Sequence, residues 1–249
     1  MPSRTLRLVR DGKAMDQNRT IAIVMAAGRG SRMKTDINKV YLNLLGKPVL
    51  YYSLKAFEQS RIQEVIIVVT PGDEEYVRKE IVEAYGFKKV TKIITGGKER
   101  FESVSHGIDA YPDEGYIFIH DGARPFILPE QINTCIEETA RYKACAVAMP
   151  VKDTIRIVDE EGYSSLTPNR NFVWQMQTPQ CFTLSEAKKA YKIMMESGDK
   201  DITDDVMVLE RYGNRRSKMI RGSYDNIKLT TPEDMLIGES ILKKYLGDE

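Results

Sequence analysis

Two glycines and several basic residues follow the first apolar run of the chain. The run covers residues 21–25, and residues 26–32 after it read AAGRGSR. The small residues allow backbone N–H groups to approach phosphate oxygens closely, and Arg32 and Lys39 add positive charge. An anionic ligand with several phosphates is the natural match. Taken alone, a G-x-G segment is nevertheless more typical of an ordinary turn with solvated basic residues.

Two well-known phosphate-binding patterns are excluded for this loop. Met33 stands where the dinucleotide pattern G-x-G-x-x-G needs its third glycine. The P-loop pattern G-x-x-x-x-G-K-[ST] occurs nowhere in the chain. If the loop binds phosphates, it therefore belongs to another class of site.

An acid follows another apolar run, in the segment IHDGARP at residues 119–125. Asp121 stands at the end of that predicted strand, where a carboxylate can hold Mg²⁺ beside phosphates. An aspartate before a glycine is also a common turn former, so both interpretations stay open. For His120 we expect a packed or hydrogen-bonded side chain rather than a general base, since a phosphate nucleophile is already ionised.

The elements that must position these residues alternate between strands and helices. Apolar runs predict strands at 21–25, 65–69, 90–94, 116–119 and 145–149, with helices at 48–59, 74–85, 99–109 and 128–141. This alternation predicts an α/β fold with a mainly parallel sheet and right-handed crossovers. Gly28, Gly97 and Asp121 all follow predicted strands, which favours one shared site at the carboxyl edge of the sheet.

The alternation breaks after Pro150. Residues 151–166 alternate around a turn at 160–162, and residues 172–174 form an apolar return. A projecting ribbon that carries apolar residues is typical of an interface, so we predict a β-arm at about 151–175 that joins two copies in a homodimer. Beyond the arm we expect helices at 184–196 and 203–212, a short strand near Met219 and a last helix from Thr231. The segment TDD at 203–205 fits the capped start of the second of these helices.

Composition narrows the class of protein. The 249 residues carry a net charge of +1, which gives no basic field for nucleic acid, and no apolar run approaches the ~20 residues that span a bilayer. Three separated cysteines and two histidines predict neither a disulfide framework nor a zinc site. Residues 1–18 are basic and lack an apolar core, so we expect a flexible tail before a single domain at 19–249, in a cytoplasmic protein.

Eight segments spread along the chain carry a family resemblance. They are AAGRGSRM (26–33), NKVYL (38–42), GGKERFESV (96–104), HDGARPF (120–126), PVKDTI (150–155), NRNFVWQMQTPQCF (169–182), ITDD (202–205) and DNIKLTTPED (225–234). Together, and in this order, they resemble the 2-C-methyl-D-erythritol 4-phosphate cytidylyltransferases of isoprenoid precursor biosynthesis. The resemblance extends from Ile21 to the last helix.

The resemblance implies a Rossmann-like nucleotidyltransferase fold with a protruding β-arm. It also implies a homodimer in which the partner's arm contributes to the active site. The implied reaction transfers CMP from CTP to the 4-phosphate of methylerythritol phosphate, releases pyrophosphate and requires Mg²⁺. Catalysis would then be positional and electrostatic, with in-line attack on the α-phosphorus and no covalent enzyme intermediate.

The matching positions imply roles for individual residues. The catalytic cations, which grip the triphosphate or lie near the transferring phosphate, are Arg32, Lys39 and Lys228. The positions around the cytosine and ribose of CTP are Ala26, Ala27, Gly28, Gly97 and Ser103, with Arg100 in support. The acids nearest the metal are Asp121 and Asp225. The positions that hold methylerythritol phosphate, in part across the dimer, are Thr154, Arg170 and Thr203.

A few positions depart from the family's pattern. Asn38 and Val40 stand where a proline and a glutamine usually flank the lysine at position 39, and Lys98 replaces a frequent acid beside the cytosine. Lys39 itself and Tyr41 are kept. We therefore expect a changed loop rather than lost chemistry.

Three alternatives to this function stay open. Ribitol-5-phosphate cytidylyltransferases share the H-D-x-x-R-P and T-P-Q segments, although AAG at 26–28 and YDN at 224–226 favour methylerythritol phosphate. A sugar-1-phosphate nucleotidyltransferase would use a different base. A catalytically idle nucleotide-binding module is the third, and the presence of nearly every expected charged residue argues against it.

Overall fold

The computed structural model describes residues 18–28 and 38–246. The strands are β1 (Thr20–Met25), β2 (Asn43–Leu44), β3 (Lys47–Pro48), β4 (Glu64–Val69), β5 (Val90–Thr95), β6 (Tyr116–Asp121), β7 (Ala144–Pro150), β8 (Ile157–Val158), β9 (Ser164–Leu166), β10 (Trp174–Thr183) and β11 (Lys218–Arg221). The helices are α1 (Val49–Gln59), α2 (Glu74–Tyr76), α3 (Arg100–Asp109), α4 (Pro129–Tyr142), α5 (Leu184–Ser197), α6 (Asp205–Tyr212) and α7 (Pro232–Leu246). A π-helical stretch, Val77–Glu83, continues α2, and 3₁₀ turns lie at Lys39–Tyr41 and Arg170–Phe172. Arg32 and the predicted tail up to residue 17 lie outside the described residues.

Seven strands form the main sheet in the order β11-β7-β10-β6-β1-β4-β5. The pairs β1–β4, β1–β6, β4–β5 and β7–β11 are parallel, whereas β10 runs antiparallel to both of its neighbours. The predicted α/β fold with a mainly parallel sheet is thus confirmed. Met25 pairs with both Val68 and Asp121, so the carboxyl ends of three strands lie side by side.

The core lies on both faces of this sheet. In β1, Ala22 and Val24 belong to one apolar cluster with Leu54 and Phe57 of α1, while Ile21 and Ile23 belong to a second cluster on the other face. The second cluster also contains Val104 and Ile108 of α3. Strands covered on both faces need apolar residues at every position, which explains why β1 and β4 read as continuous apolar runs.

Strand β10 is the main element that the sequence pattern did not reveal. Only residues 172–174 read as an apolar return, yet the strand runs to Thr183 through the middle of the sheet. Its interior contains the buried polar side chains of Gln177, Thr178 and Gln180. Gln180 Oε1 accepts hydrogen bonds from the backbone N–H groups of Asp205 and Val206, both at 2.9 Å, and so satisfies the start of α6. Polar residues interrupt the apolar pattern of β10, and one of them, Gln180, connects the sheet to α6.

A two-stranded hairpin, β8–β9, projects between β7 and β10. Its turn places Gly162 at φ +87°, where a glycine avoids the strain of a side chain, and the Gly162 N–H donates to the Asp159 carbonyl at 3.1 Å. Apolar side chains on the hairpin and its return face solvent; these are Ile157, Val158, Tyr163, Leu166 and Phe172. Among the described helices, none is long and apolar enough to cross a membrane.

Candidate active site

An open cavity lies at the carboxyl edge of the sheet, where the loops after β1 and β5 meet the end of β6. It is the place at which open α/β sheets bind their ligands. Most residues predicted for the nucleotide and for catalysis line it, namely Ala27, Gly28, Lys39, Gly97, Arg100, Ser103, Asp121 and Lys228. Residues from five separate chain segments are thereby brought together.

The loop after β5 is held tightly against the start of α3. Glu102 Oε2 accepts from the N–H groups of Lys98 at 2.7 Å and Glu99 at 3.2 Å, and Ser103 Oγ accepts from Gly97 N–H at 3.0 Å. A Cβ at Gly97 would lie 2.4 Å from Glu102 Cβ, so a side chain cannot be accommodated without displacing the loop. The amino end of α3 consequently faces the cavity, where its dipole favours an anion.

Asp121 is surrounded by cations at the floor of the cavity. Its Oδ2 lies 2.9 Å from Lys228 Nζ and 3.5 Å from Arg124 Nε, and its Oδ1 lies 3.6 Å from Arg100 Nε. Burial raises the pKa of Asp121, but Arg100, Lys228 and Arg124 together outweigh burial and hold that pKa well below its usual value. Asp121 is therefore ionised throughout the physiological pH range.

A second buried acid, Asp205, fixes the guanidinium of Arg100. Arg100 Nη1 and Nη2 donate to the two carboxylate oxygens of Asp205 at 2.7 and 2.8 Å, and Tyr191 Oη donates to Oδ1 at 2.5 Å. Burial lowers the pKa of Arg100, whereas the carboxylates of Asp205 and Asp121 raise it to a net value well above normal. Asp205 is fully buried. Its charge is tolerated there because both of its carboxylate oxygens are paired with the Arg100 guanidinium.

The cluster as a whole keeps an excess of positive charge. Arg100, Arg124 and Lys228 outnumber the carboxylates of Asp121 and Asp205, and the cavity lining adds Lys39 and Lys98 against one further acid, Glu99. Positive charge in a partly enclosed cleft attracts an anionic ligand and is poorly suited to a neutral one. The cavity thus has the electrostatics that a polyphosphate requires.

Arg124 links the turn after Asp121 to the segment that carries Lys228. Its Nη1 donates to the Asn226 carbonyl at 2.9 Å, and the Leu229 N–H donates to the Ala123 carbonyl at 2.8 Å. These two bonds fix the backbone on both sides of Lys228. Arg124 and Asp205 were not among the predicted site residues, although both lie inside motifs of the family. Local sequence does not reveal their roles, because Arg124 bonds to Asn226 and Asp205 bonds to Arg100, each about a hundred positions away.

Other predicted residues lie away from the cavity as the described residues form it. Ala26 is buried beneath the loop and donates its N–H to the Val68 carbonyl at 2.7 Å. Asp225 Oδ2 accepts from Lys244 Nζ at 2.7 Å and Tyr245 Oη at 3.0 Å. Three acceptor candidates, Thr154, Arg170 and Thr203, are partly or fully exposed outside the cavity lining.

His120 is packed within the fold, as expected. It is fully buried beside Phe57, its Nε2 lies 3.1 Å from the Arg124 carbonyl and its Nδ1 lies 3.0 Å from Thr178 Oγ1. A carbonyl only accepts, so Nε2 carries the proton and Nδ1 accepts from the Thr178 hydroxyl. Thr178 Oγ1 in turn accepts from the Asp121 N–H at 3.1 Å. His120 therefore supports the backbone of Asp121 from below.

The mainly parallel sheet and the cationic cavity at its carboxyl edge define an α/β protein with a site suited to a phosphate-bearing ligand. The model of the IspD family, 2-C-methyl-D-erythritol 4-phosphate cytidylyltransferase, matches residues 20–244. The chain belongs to this family.

Named relatives agree with that assignment. A 2-C-methyl-D-erythritol 4-phosphate cytidylyltransferase of Lachnospira eligens is 50% identical over 224 residues, which cover 89% of this chain and 98% of the relative. That of Lachnoclostridium phytofermentans is 45% identical, with coverages of 90% and 96%. The crystal structure of 4-diphosphocytidyl-2C-methyl-D-erythritol synthase from Anaerococcus prevotii matches with a TM-score of 0.80 at 32% identity, and covers 90% of this chain and 96% of that one.

We predict that His120 makes the stability of the protein depend on pH. Burial lowers the pKa of His120 to about 4, so below pH 6.5 the unfolded chain binds a proton that the folded chain does not. The free energy of unfolding should fall by about 2 kcal/mol between pH 7 and pH 5 through this residue alone. Denaturant unfolding of wild type and His120→Asn at both pH values measures the difference in slope. Equal pH dependence in the two proteins would contradict the prediction.

Proposed function

We propose that this chain transfers CMP from CTP to 2-C-methyl-D-erythritol 4-phosphate. The products are 4-diphosphocytidyl-2-C-methyl-D-erythritol and pyrophosphate, and the step belongs to isoprenoid precursor biosynthesis. The observation that carries the proposal is the cavity in which the two glycine loops, Lys39 and Lys228 surround Asp121. Membership of the IspD family supplies the identity of the substrates.

The nucleotide is assigned to the loops after β1 and β5. Backbone groups of Ala27, Gly28 and Gly97, with the Ser103 hydroxyl, are proposed to contact the cytosine and ribose, and Ala26, whose own N–H and carbonyl bond to Val68 and Asn38, to support the first of these loops. The short distance that the glycines allow between backbone and ligand suits a small pyrimidine edge. Arg32 and Lys39 are proposed to grip the triphosphate, and Arg100 to support this region through its contact with Asp205.

The chemical step is proposed to be a direct in-line displacement. An oxygen of the acceptor phosphate attacks the α-phosphorus of CTP, the new P–O bond forms, and the bond to the pyrophosphate oxygen breaks. Lys228 is proposed to stabilise charge on the transferring phosphate, since its ammonium already lies in the cavity beside Asp121. The nucleophile is ionised and needs no base, which agrees with the burial of His120 beneath the site.

Mg²⁺ is proposed as the cofactor, held by Asp121 together with phosphate oxygens. No group of three His, Cys, Asp or Glu side chains that could hold a metal occurs among residues 18–28 and 38–246. Mg²⁺ is usually bound by one or two carboxylates and substrate phosphates rather than by a complete protein cage, and Asp121 supplies such a carboxylate in the cavity lining. When bound, the ion would neutralise charge on the phosphates. Asp225, the second proposed ligand, would first have to exchange its contacts with Lys244 and Tyr245.

The acceptor and the dimer are proposed together. Thr154, Arg170 and Thr203 are proposed to hold methylerythritol phosphate, in part across a homodimer formed through the β-arm. Their positions outside the cavity lining of one chain are consistent with a site that a second copy completes. A cytoplasmic location is also proposed, in keeping with three cysteines that are free and buried.

The acceptor preference can be tested directly. With CTP and Mg²⁺, we expect the purified protein to convert methylerythritol phosphate and to release pyrophosphate, and to convert ribitol 5-phosphate far more slowly. Replacing CTP with UTP, ATP or GTP under the same conditions tests the base. Turnover of ribitol 5-phosphate alone, or a preference for another nucleotide, would refute the proposal.

We predict that Lys39→Ala lowers kcat by about 10²–10³, the usual cost of losing one group that stabilises charge in the transition state. Lys192→Ala is the matched control, since Lys192 is an exposed lysine on α5, outside the cavity lining, in a loose ion pair with Glu196 at 4.0 Å. Steady-state rates of pyrophosphate release with saturating substrates measure both. Wild-type kcat in Lys39→Ala would remove this lysine from the mechanism.

We predict that the protein sediments as a dimer and that Phe172→Ser weakens the dimer roughly tenfold or more, since large apolar side chains dominate interface energies. Phe172 is 82% exposed in a single chain, next to the hairpin. Leu236→Ser, which changes a 70% exposed residue on α7, serves as the control. A fully active monomer in sedimentation experiments would exclude the arm as a functional interface.

A further inference from the structure

Asn38 bonds both to the start of the glycine loop and to the turn that contains Lys39. Its Nδ2 donates to the carbonyl of Ala26, the residue before Ala27 and Gly28, at 2.8 Å. Its Oδ1 accepts from the Val40 N–H at 3.3 Å and caps the 3₁₀ turn that contains Lys39. One amide side chain thus bonds to the first loop of the cavity and to the turn that supplies a cavity lysine.

The hydroxyl of Thr70, the residue after β4, contacts both segments as well. Thr70 Oγ1 lies 3.4 Å from Asn38 Nδ2 and 3.4 Å from the Gly28 N–H, so it accepts weakly from both segments. The 2.8 Å bond to Ala26 is the strong contact of the three. Gly28 and Asn38, ten positions apart in the chain, therefore both contact the Thr70 hydroxyl.

The far side of the lysine turn is also fixed. Val40 is only 3% exposed, and Tyr41 Oη donates to Asp73 Oδ2 at 3.1 Å while its ring packs against Tyr76. The backbone of Lys39 consequently has an anchor on each side, Asn38 towards the glycine loop and Tyr41 towards α2. Of these two anchors, Asn38 is the one that bonds directly to residues 26–28.

We propose that Asn38 is a positioning residue for nucleotidyl transfer, which sets the spacing between the phosphate-facing loop and Lys39. This inference rests on the proposed function, because it assigns Lys39 and residues 26–28 to the same triphosphate. An asparagine suits the role because it donates and accepts at once, which neither serine nor alanine can do with this geometry. Misplacement of a catalytic group by about 1 Å can cost up to a hundredfold in rate.

Two neutral substitutions separate the tether from the cap. Asn38→Ala removes both contacts, whereas Asn38→Ser keeps a side chain that caps turns well but is too short to replace the amide donor to Ala26. Neither introduces a charge beside the phosphates. Asn43→Ser is the matched control, because Asn43 Oδ1 accepts from the Gly46 N–H at 2.8 Å in a turn that does not line the cavity.

The readouts are CTP affinity by calorimetry, kcat and both KM values, and the melting temperature. For Asn38→Ala and Asn38→Ser we expect kcat/KM for CTP to fall between about tenfold and a hundredfold, with the KM for the acceptor and the melting temperature unchanged. Asn43→Ser should retain wild-type kinetics. Wild-type kcat/KM for CTP in Asn38→Ser would overturn the inference. A fall in kcat/KM that is accompanied by a lowered melting temperature would also overturn it.

Failure of the proposed function gives a different result. If the wild type does not turn over CTP with methylerythritol phosphate, the proposed reaction is wrong. The tether is then still tested by calorimetry, where weaker CTP binding by both Asn38 variants supports it. Unchanged CTP affinity together with unchanged kinetics in both variants would refute it.

Discussion

The ionised carboxylate of Asp121 is the interaction on which the site depends. It lies within 3.6 Å of side-chain nitrogens from α3, from the turn after β6 and from the segment before α7. Without a negative charge at this point, Arg100, Arg124 and Lys228 would repel one another at close range in a weakly solvated cleft. The same charge that gathers the cations leaves the sum of the paired groups positive, because Arg100, Arg124 and Lys228 face two carboxylates, those of Asp121 and Asp205.

The cluster also connects the layers of the fold. Arg100 begins α3 and pairs with Asp205, which begins α6, and Gln180 of the central strand β10 bonds to the first N–H groups of that helix. A buried charge is tolerated only when it is paired and hydrogen-bonded, so each of these contacts depends on the others. The polar residues of β10 are thus part of the same arrangement that shapes the cavity floor.

The sequence predicts those features whose cause is local. Strands β1 and β4 were found because burial on both faces requires continuous apolar residues, and the meeting of Gly28, Gly97 and Asp121 follows from the parallel topology. Strand β10 was missed because buried polar side chains, Gln177, Thr178 and Gln180, interrupt its apolar residues, and their hydrogen-bond partners lie far along the chain. The Arg100–Asp205 pair was missed for the same reason, as its members are 105 positions apart. The roles proposed for Thr154 and Arg170 involve a second copy, which neither local sequence nor the fold of one chain defines.

The two acids assigned to the metal differ in what holds them, and this difference indicates how the site is organised. Asp225 is bonded to Lys244 and Tyr245 in the last turns of α7, so its carboxylate belongs to the contact between that helix and the loop before it. The Asp121 carboxylate instead pairs with Arg100, Arg124 and Lys228, cations that line the cavity or fix its walls. A triphosphate entering the cavity offers those cations new partners, because phosphate oxygens accept strong, charge-assisted hydrogen bonds from lysine and arginine. Under the proposed function, a bound triphosphate would free Asp121 oxygens inside the site while Asp225 keeps its contacts with α7, which supports Asp121 over Asp225 as the proposed metal ligand.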